Sequence, residues 1–235
     1  YKPGFPIQAR ELTTSQSILQ NQIGKFGTNI FKEGSVVIPG GHGYVDKYQS
    51  VKLNTSTFGV DVSVYIKNFI GKTVVGEISG VRATVKNIAL TSDSQEVTNP
   101  TLFVLYTSVG SVNNTEVSLF QDGEDLFCTE DVVYGNTTIF AGNTFASAIE
   151  SNSVATGTAA YINKGTFFVR EHFVNVSDQT LILDYYNTNS SYKVGLQIVE
   201  SIVKSDTDES LFDNAKGFTN YSAPGADRFK IELVL

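Results

Sequence analysis

Beyond Gly34 the chain is broken again and again by Gly, Pro, Asn, Asp and Ser into short runs rich in Val, Ile, Thr, Tyr and Phe. Runs that short, bounded by turn formers, predict strands and exclude a helical bundle. "VDVSVYI" puts Val60, Val62, Val64 and Ile66 on one face and Asp61, Ser63 and Tyr65 on the other. That alternation marks a half-buried antiparallel strand. "TVVGEI", "VRATVKNIAL", "TLFVLYTSV" and "EVSLF" follow, separated by "NFIGK", "SGV", "TSDSQEVTNP" and "SVNNT". About five such strands suggest a small barrel-like module over 58–128. "GSVVIPGGHGYVDKYQSVKL" predicts a hairpin around its glycines. "AAYINKGTFFVREHFVNV", "QTLILDYY" and "SYKVGLQIVESIV" continue the β pattern, the last with a phase slip near Val199 that reads as a bulge. The closing strand sets Phe229, Ile231, Leu233 and Leu235 on one face. The expected architecture is mainly β, an N-terminal helix followed by antiparallel β-domains. It divides into an arm, helix and hairpin (1–57), the barrel-like module (58–128), and a C-terminal antiparallel domain (129–235) packing with the N-terminal hairpin.

One segment departs from this. After an extended start fixed by Pro3 and Pro6, a helix is predicted from about Ala9 to Phe31. Its apolar residues are Leu12, Leu19, Ile23, Phe26 and Ile30, and the steps from Leu19 onward are four, three, four. That is the seam of a coiled coil, with Gln16 at a further seam position. Gly24 and Gly27 interrupt it, allowing close approach to a neighbour or marking a kink. Its polar positions are mostly Ser, Thr, Asn and Gln, so i to i+4 ion pairs give it little support. Either Leu12, Gln16, Leu19, Ile23, Phe26 and Ile30 dock on another chain, or Leu19, Ile23, Phe26 and Ile30 pack on this chain's own β-domain.

Charged residues make up only 17% of the 235, and the net charge is -7. A phosphate backbone calls for a basic face, so nucleic acid is not an expected partner. No apolar run approaches the ~18 residues of a spanning helix, and no signal-peptide pattern opens the chain. Cys128 is the one cysteine, which rules out an internal disulfide and fits a buried thiol. The chain lacks methionine and ends inside "FKIELVL"; both give the expectation of a piece of a longer protein.

The residues offer little chemistry. His42 sits among glycines and His172 beside Glu171; with Cys128 they make a poor metal set. A Cys128–His172 nucleophile pair lacks any local signature. "VVIPGGHG" has the glycines of a phosphate loop, but Asp46 stands where a third glycine is needed and a helix does not follow. "SDTDESLFD" begins like a calcium loop, then has Leu211 where glycine is required and Gly217 where the closing Glu belongs. Tyr185, Tyr186 and Tyr192 bracket a polar loop and could form a sugar platform, or simply pack at strand ends. No catalytic residue, cofactor or metal is expected.

The opening "KPGFPIQARELTTSQSILQNQIGKFGTNIFKEGSVVIPGG" resembles the start of a virion domain of unknown function typical of contractile-tailed marine phages, including cyanophages. Pro3 to Pro6, Gln8, Arg10 to Leu12, Gln16, Ile18 to Ile23, Phe26, Gly27 and Ile30 to Val37 carry it. "FFVREHFVNVSDQTLILDYYNTNSSYKVGLQIVESIV" and "SLFDNAKGFTNYSAPGADRFKIEL" are similar to the family's far end. The resemblance implies a structural part of the tail baseplate or fibre attachment, assembled in the host cytoplasm and located in the virion. Its implied partners are copies of itself, three by analogy with fibre connectors, and other tail proteins. It brings no catalytic residues. The alternative function is a receptor- or glycan-binding module of a tail fibre.

Overall fold

The computed structural model describes residues 6–188 and 191–235. The protein is mainly β, with one α-helix, Ala9–Ile30, followed by antiparallel sheets. Of the extended start, Pro3 lies outside the described residues, as do Asn189 and Ser190 of the predicted "NTNSS" loop. The chain forms two compact units. The first takes the chain up to Gly43, Tyr161–Thr180 and Lys193–Leu235; the second takes Tyr44–Ala160 and Leu181–Tyr192.

The first unit is layered. Ser35–Ile38 and His172–Val176 flank Gly165–Val169 in a three-stranded sheet. Arg170 and Glu171, at φ 48° and 65°, make the tight turn whose twist suits a hairpin. Alternation along "TFFV" then sends neighbouring side chains to opposite faces. Phe167 and Val169 join Val174, Val176, Ile162 and Leu233 in one cluster. Phe168 turns the other way, with its register partner Phe173, towards the helix. The hairpin of Gln197–Val203 with Arg228–Val234 covers the first face through Ile198, Ile231 and Leu233. Its pairing runs unbroken from Gln197↔Val234 to Val203↔Arg228. The predicted bulge is therefore absent, and the alternating 192–196 stretch that suggested it is not strand. Of the closing strand's apolar row, Leu233 is buried while Phe229 is 57% exposed.

The second unit holds the core of an eight-stranded sheet. Its order is Thr144–Ser147, Asp125–Cys128, Thr73–Gly76, Arg82–Ala89, Thr101–Ser108, His42–Lys52, Val154–Ile162, Gln179–Asp184. Phe69 stacks on Phe145 at 4.1 Å between centroids, within a cluster that includes Val51, Leu53, Ile66, Leu102 and Leu126. Residues 58–128 thus do not close into a barrel: four of their strands join an open sheet that recruits strands from both sides of that segment, while Val60–Asp61 pairs with Ser56–Thr57 and Gly110–Val112 with Thr115–Val117 in ribbons of their own.

Two further expectations are corrected. "VDVSVYI" is not a strand. Only Val60–Asp61 is extended; two short 3-10 helices follow, Val62–Val64 and Ile66–Phe69. The buried residues are Val62, Tyr65, Ile66 and Phe69, a spacing of three, one and three that a helical turn satisfies and a strand cannot. Asp61 secures the switch by accepting from the Ser63 amide at 2.8 Å. The 35–52 hairpin does not form either, because Ser35–Ile38 pairs with Gly165–Val169 and His42–Lys52 with Thr101–Ser108. The glycines between them serve a close approach instead. The Asn163 amide donates to Gly41 O at 2.7 Å, and a Cβ on Gly40 would run into the Asn163 carbonyl.

Candidate functional site

The helix that most distinguishes this chain is built from local bonds rather than charges. The Glu11 carboxylate accepts from the Gln8 amide at 2.8 Å, satisfying one of the free donors of the first turn. Thr13, Thr14, Ser17 and Thr28 each donate a hydroxyl to the carbonyl four residues earlier. These side chains are therefore satisfied within the helix, but they add little to its stability.

The residues it buries against the first unit lie in its last turns. Gly24 and Gly27 are the buried residues of the helix. Gly27 lies flat on Phe168: a Cβ there would meet Cε2 first and stand 2.7 Å from Cζ. Gly24 lies over Glu171, whose Cβ would be 3.1 Å away. At the exit, Phe31 packs on Phe168 and Phe173 with centroids 6.0 and 5.8 Å apart. The Glu33 carboxylate accepts from the Arg170 amide at 3.0 Å, and the Gly34 amide donates to Phe168 O at 2.8 Å.

The seam faces elsewhere. At about 100° per residue, Gly27 lies about a sixth of a turn and Gly24 about a third of a turn from the line through Leu12, Gln16, Leu19, Ile23, Phe26 and Ile30. All six seam residues are exposed. The fractions are 59% for Leu12, 58% for Leu19, 44% for Ile23, 64% for Phe26 and 59% for Ile30. From Ala9 to Ile23 every side chain except Glu11 is exposed. The apolar seam does not pack on this chain's own β-domain, and that alternative is overturned. That exposed stretch, Ala9–Ile23, is the first two-thirds of the helix, and an isolated helix of about that length is marginal in water. The glycines were legible as a point of close approach; Glu171 and Phe168, which they approach, were not, and only the doubled Phe of "TFFV" hints that this strand is buried on both faces.

The other candidates resolve into packing. Among the described residues, no three His, Cys, Asp or Glu side chains gather as metal ligands. His42 opens a strand rather than sitting in a turn, and His172 stacks beside Phe229. Cys128 and His172 belong to different units. Burial removes Cys128 from solvent and raises its thiol above the ordinary value. Asp208 caps a 3-10 turn through the Ser210 amide, and Asp213 accepts from the Ala215 amide and the Asn220 side chain.

The tyrosines are engaged in the second unit. Tyr48 stacks on Phe103 at 4.9 Å, and burial pushes its phenol up to about 12. Tyr185 packs on Phe103 and on Tyr186. The Tyr186 hydroxyl is 2.8 Å from that of Thr101, and Lys52 Nζ sits 4.3 Å over its ring. Tyr192 is 51% exposed but donates its hydroxyl to Asp184 at 2.9 Å.

A family model described as a domain of unknown function (DUF4815) matches residues 120–235. The match covers just under half of the chain, takes in parts of both units and leaves the helix outside. No curated protein and no solved structure matches the chain.

Proposed function

We propose that this chain is a structural component of a tailed-phage virion, at the baseplate or the point of fibre attachment, acting through subunit–subunit contacts. The observation that carries the assembly part is the exposed seam on a helix whose buried residues are Gly24 and Gly27. The phage setting rests on the resemblance of the opening and closing strings. In this reading the occupant of the seam is another copy of the chain, with other tail proteins as further partners. Three copies are what fibre connectors imply by analogy. The role calls for neither catalysis nor a cofactor, and no helix among the described residues is long and apolar enough to cross a membrane.

Light scattering on the chain and on Ile23→Asp tests it. The expected result is an oligomer for the parent and a folded monomer for the variant, because Ile23 touches solvent rather than core. A monomeric parent at micromolar concentration would overturn the reading. The second reading, a receptor- or glycan-binding module, draws on the exposed rings of Tyr192 and Tyr221. Saturable binding of host surface glycan, lost in Tyr192→Ala, would put it first.

A further inference from the structure

We infer that the helices of neighbouring copies pair in parallel and in register, with Gln16 setting the alignment. The inference rests on the proposed self-assembly through the seam and adds the geometry of the partner.

The steps from Leu12 to Ile30 are four, three, four, three, four. This 3.5-residue repeat is the one that two supercoiled helices share along their whole contact. It makes Gln16, Ile23 and Ile30 one class of seam position and Leu12, Leu19 and Phe26 the other. The positions flanking the seam are Thr13, Gln20 and Gly27 on one side and Ser15, Gln22 and Asn29 on the other. None is charged. The helix's only ionic residues, Arg10, Glu11 and Lys25, lie off the flanks. An uncharged flank neither repels a second copy nor selects a partner of complementary charge. Of the six flanking positions only Gly27 is covered by the chain's own sheet.

Orientation follows from the one polar seam residue. In a parallel, in-register pair, Gln16 meets Gln16, and each amide offers both donors and an acceptor to the other. In an antiparallel pair centred on the seam, Gln16 faces Phe26 and its amide is buried without a partner. Burying an unpaired amide is strongly disfavoured. The exposed helix has room for this test, because neither end of the seam contributes to the buried core.

Two variants with one added cysteine each, Leu12→Cys and Ile30→Cys, are oxidised in a glutathione buffer, separately and mixed; buried Cys128 stays out of the reaction. Parallel alignment predicts that each variant alone gives a disulfide-linked pair. The inference is overturned if light scattering shows an oligomer but links form only between the two variants. A monomeric chain instead removes the self-assembly reading itself. Adding Gln16→Leu should preserve the oligomer while opening links between positions 12 and 30. If it leaves the linking pattern unchanged, Gln16 does not set the register.

Discussion

The close approach at Gly27 makes a quantitative prediction. Replacing a helix glycine by alanine ordinarily gains about 1 kcal/mol. At Gly27 the new methyl would stand 2.7 Å from Phe168 Cζ and closer still to Cε2. Phe168 is 1% exposed and wedged between Phe31 and Phe173, so the ring cannot swing away. Overpacking of that kind costs about 1–3 kcal/mol, leaving a net loss of roughly 0–2 kcal/mol. At Gly24 the nearest atoms, Cβ and Oε2 of Glu171, are 3.1 Å away. They belong to an exposed turn that can yield, and there the helix gain of up to about 1 kcal/mol survives. Because two units need not unfold as one, the assay is amide exchange of residues 24–30. It is measured in the Ile23→Asp background so that association adds no protection. Each 1.4 kcal/mol is about tenfold in exchange rate. Gly27→Ala should speed exchange, Gly24→Ala should slow it, and Phe168→Leu should relieve the first effect but not the second. If both alanines protect the helix equally, it does not dock through Gly27.

Other tests address the second unit and the copy number. Glu124 is fully buried and accepts from the Ser79 amide at 2.9 Å, the Ser79 hydroxyl at 3.0 Å and the Gln121 amide at 2.6 Å. Glu124→Ala strands these donors at about 1–3 kcal/mol for each left unsatisfied, which thermal unfolding should register as a clear fall. Asp122 is held below its ordinary value first by the Ser153 hydroxyl and then by the Ser153 amide. A lowered carboxyl stabilises the fold above the unfolded-chain value of about 4 and stops doing so as pH falls through the folded-state value. Asp122→Asn should therefore show a shallower loss of melting temperature on acidification than the parent. Cys128 should resist a thiol reagent at neutral pH until denaturant is added, since burial both hides the thiol and disfavours its thiolate. Rapid labelling of the folded chain would contradict its placement. Light scattering also decides the number of strands: Ile23 and Ile30 in one seam class with Leu12 and Leu19 in the other favours two, against the three implied by analogy.

What could be read in advance depended on whether the deciding contact was local. The helix bounds were legible because a 4-3 repeat and the prolines before it act within the segment. Arg82–Ala89 and Thr101–Ser108 were legible as short β-rich runs between turn formers, and Arg228–Val234 as an alternating one. "VDVSVYIKNF" carries both an alternating pattern and a helical spacing, and only the core decides between them by burying Val62, Tyr65, Ile66 and Phe69. The partner of Ser35–Ile38 lies far along the chain, and nothing within "GSVVIPGGHG" announces that its glycines approach Asn163. For the candidate site, the seam residues were readable from their period. That they face solvent was not, because exposure depends on where Glu171 and Phe168 seat the two glycines.

The nesting of one unit's chain inside the other's has a consequence for synthesis. Tyr44–Ala160, most of the second unit, emerges as one continuous stretch. The first unit must wait: Val36 is paired with Phe167, which at about 5–20 residues per second leaves the ribosome roughly 7–26 s later. Throughout that interval Ala9–Ile30 is already made, while the sheet that seats Gly24 and Gly27 is not. In the proposed assembly, the helix is then free to find its counterpart on a neighbouring ribosome of the same message. Partner choice would precede completion of the unit that finally holds the helix in place.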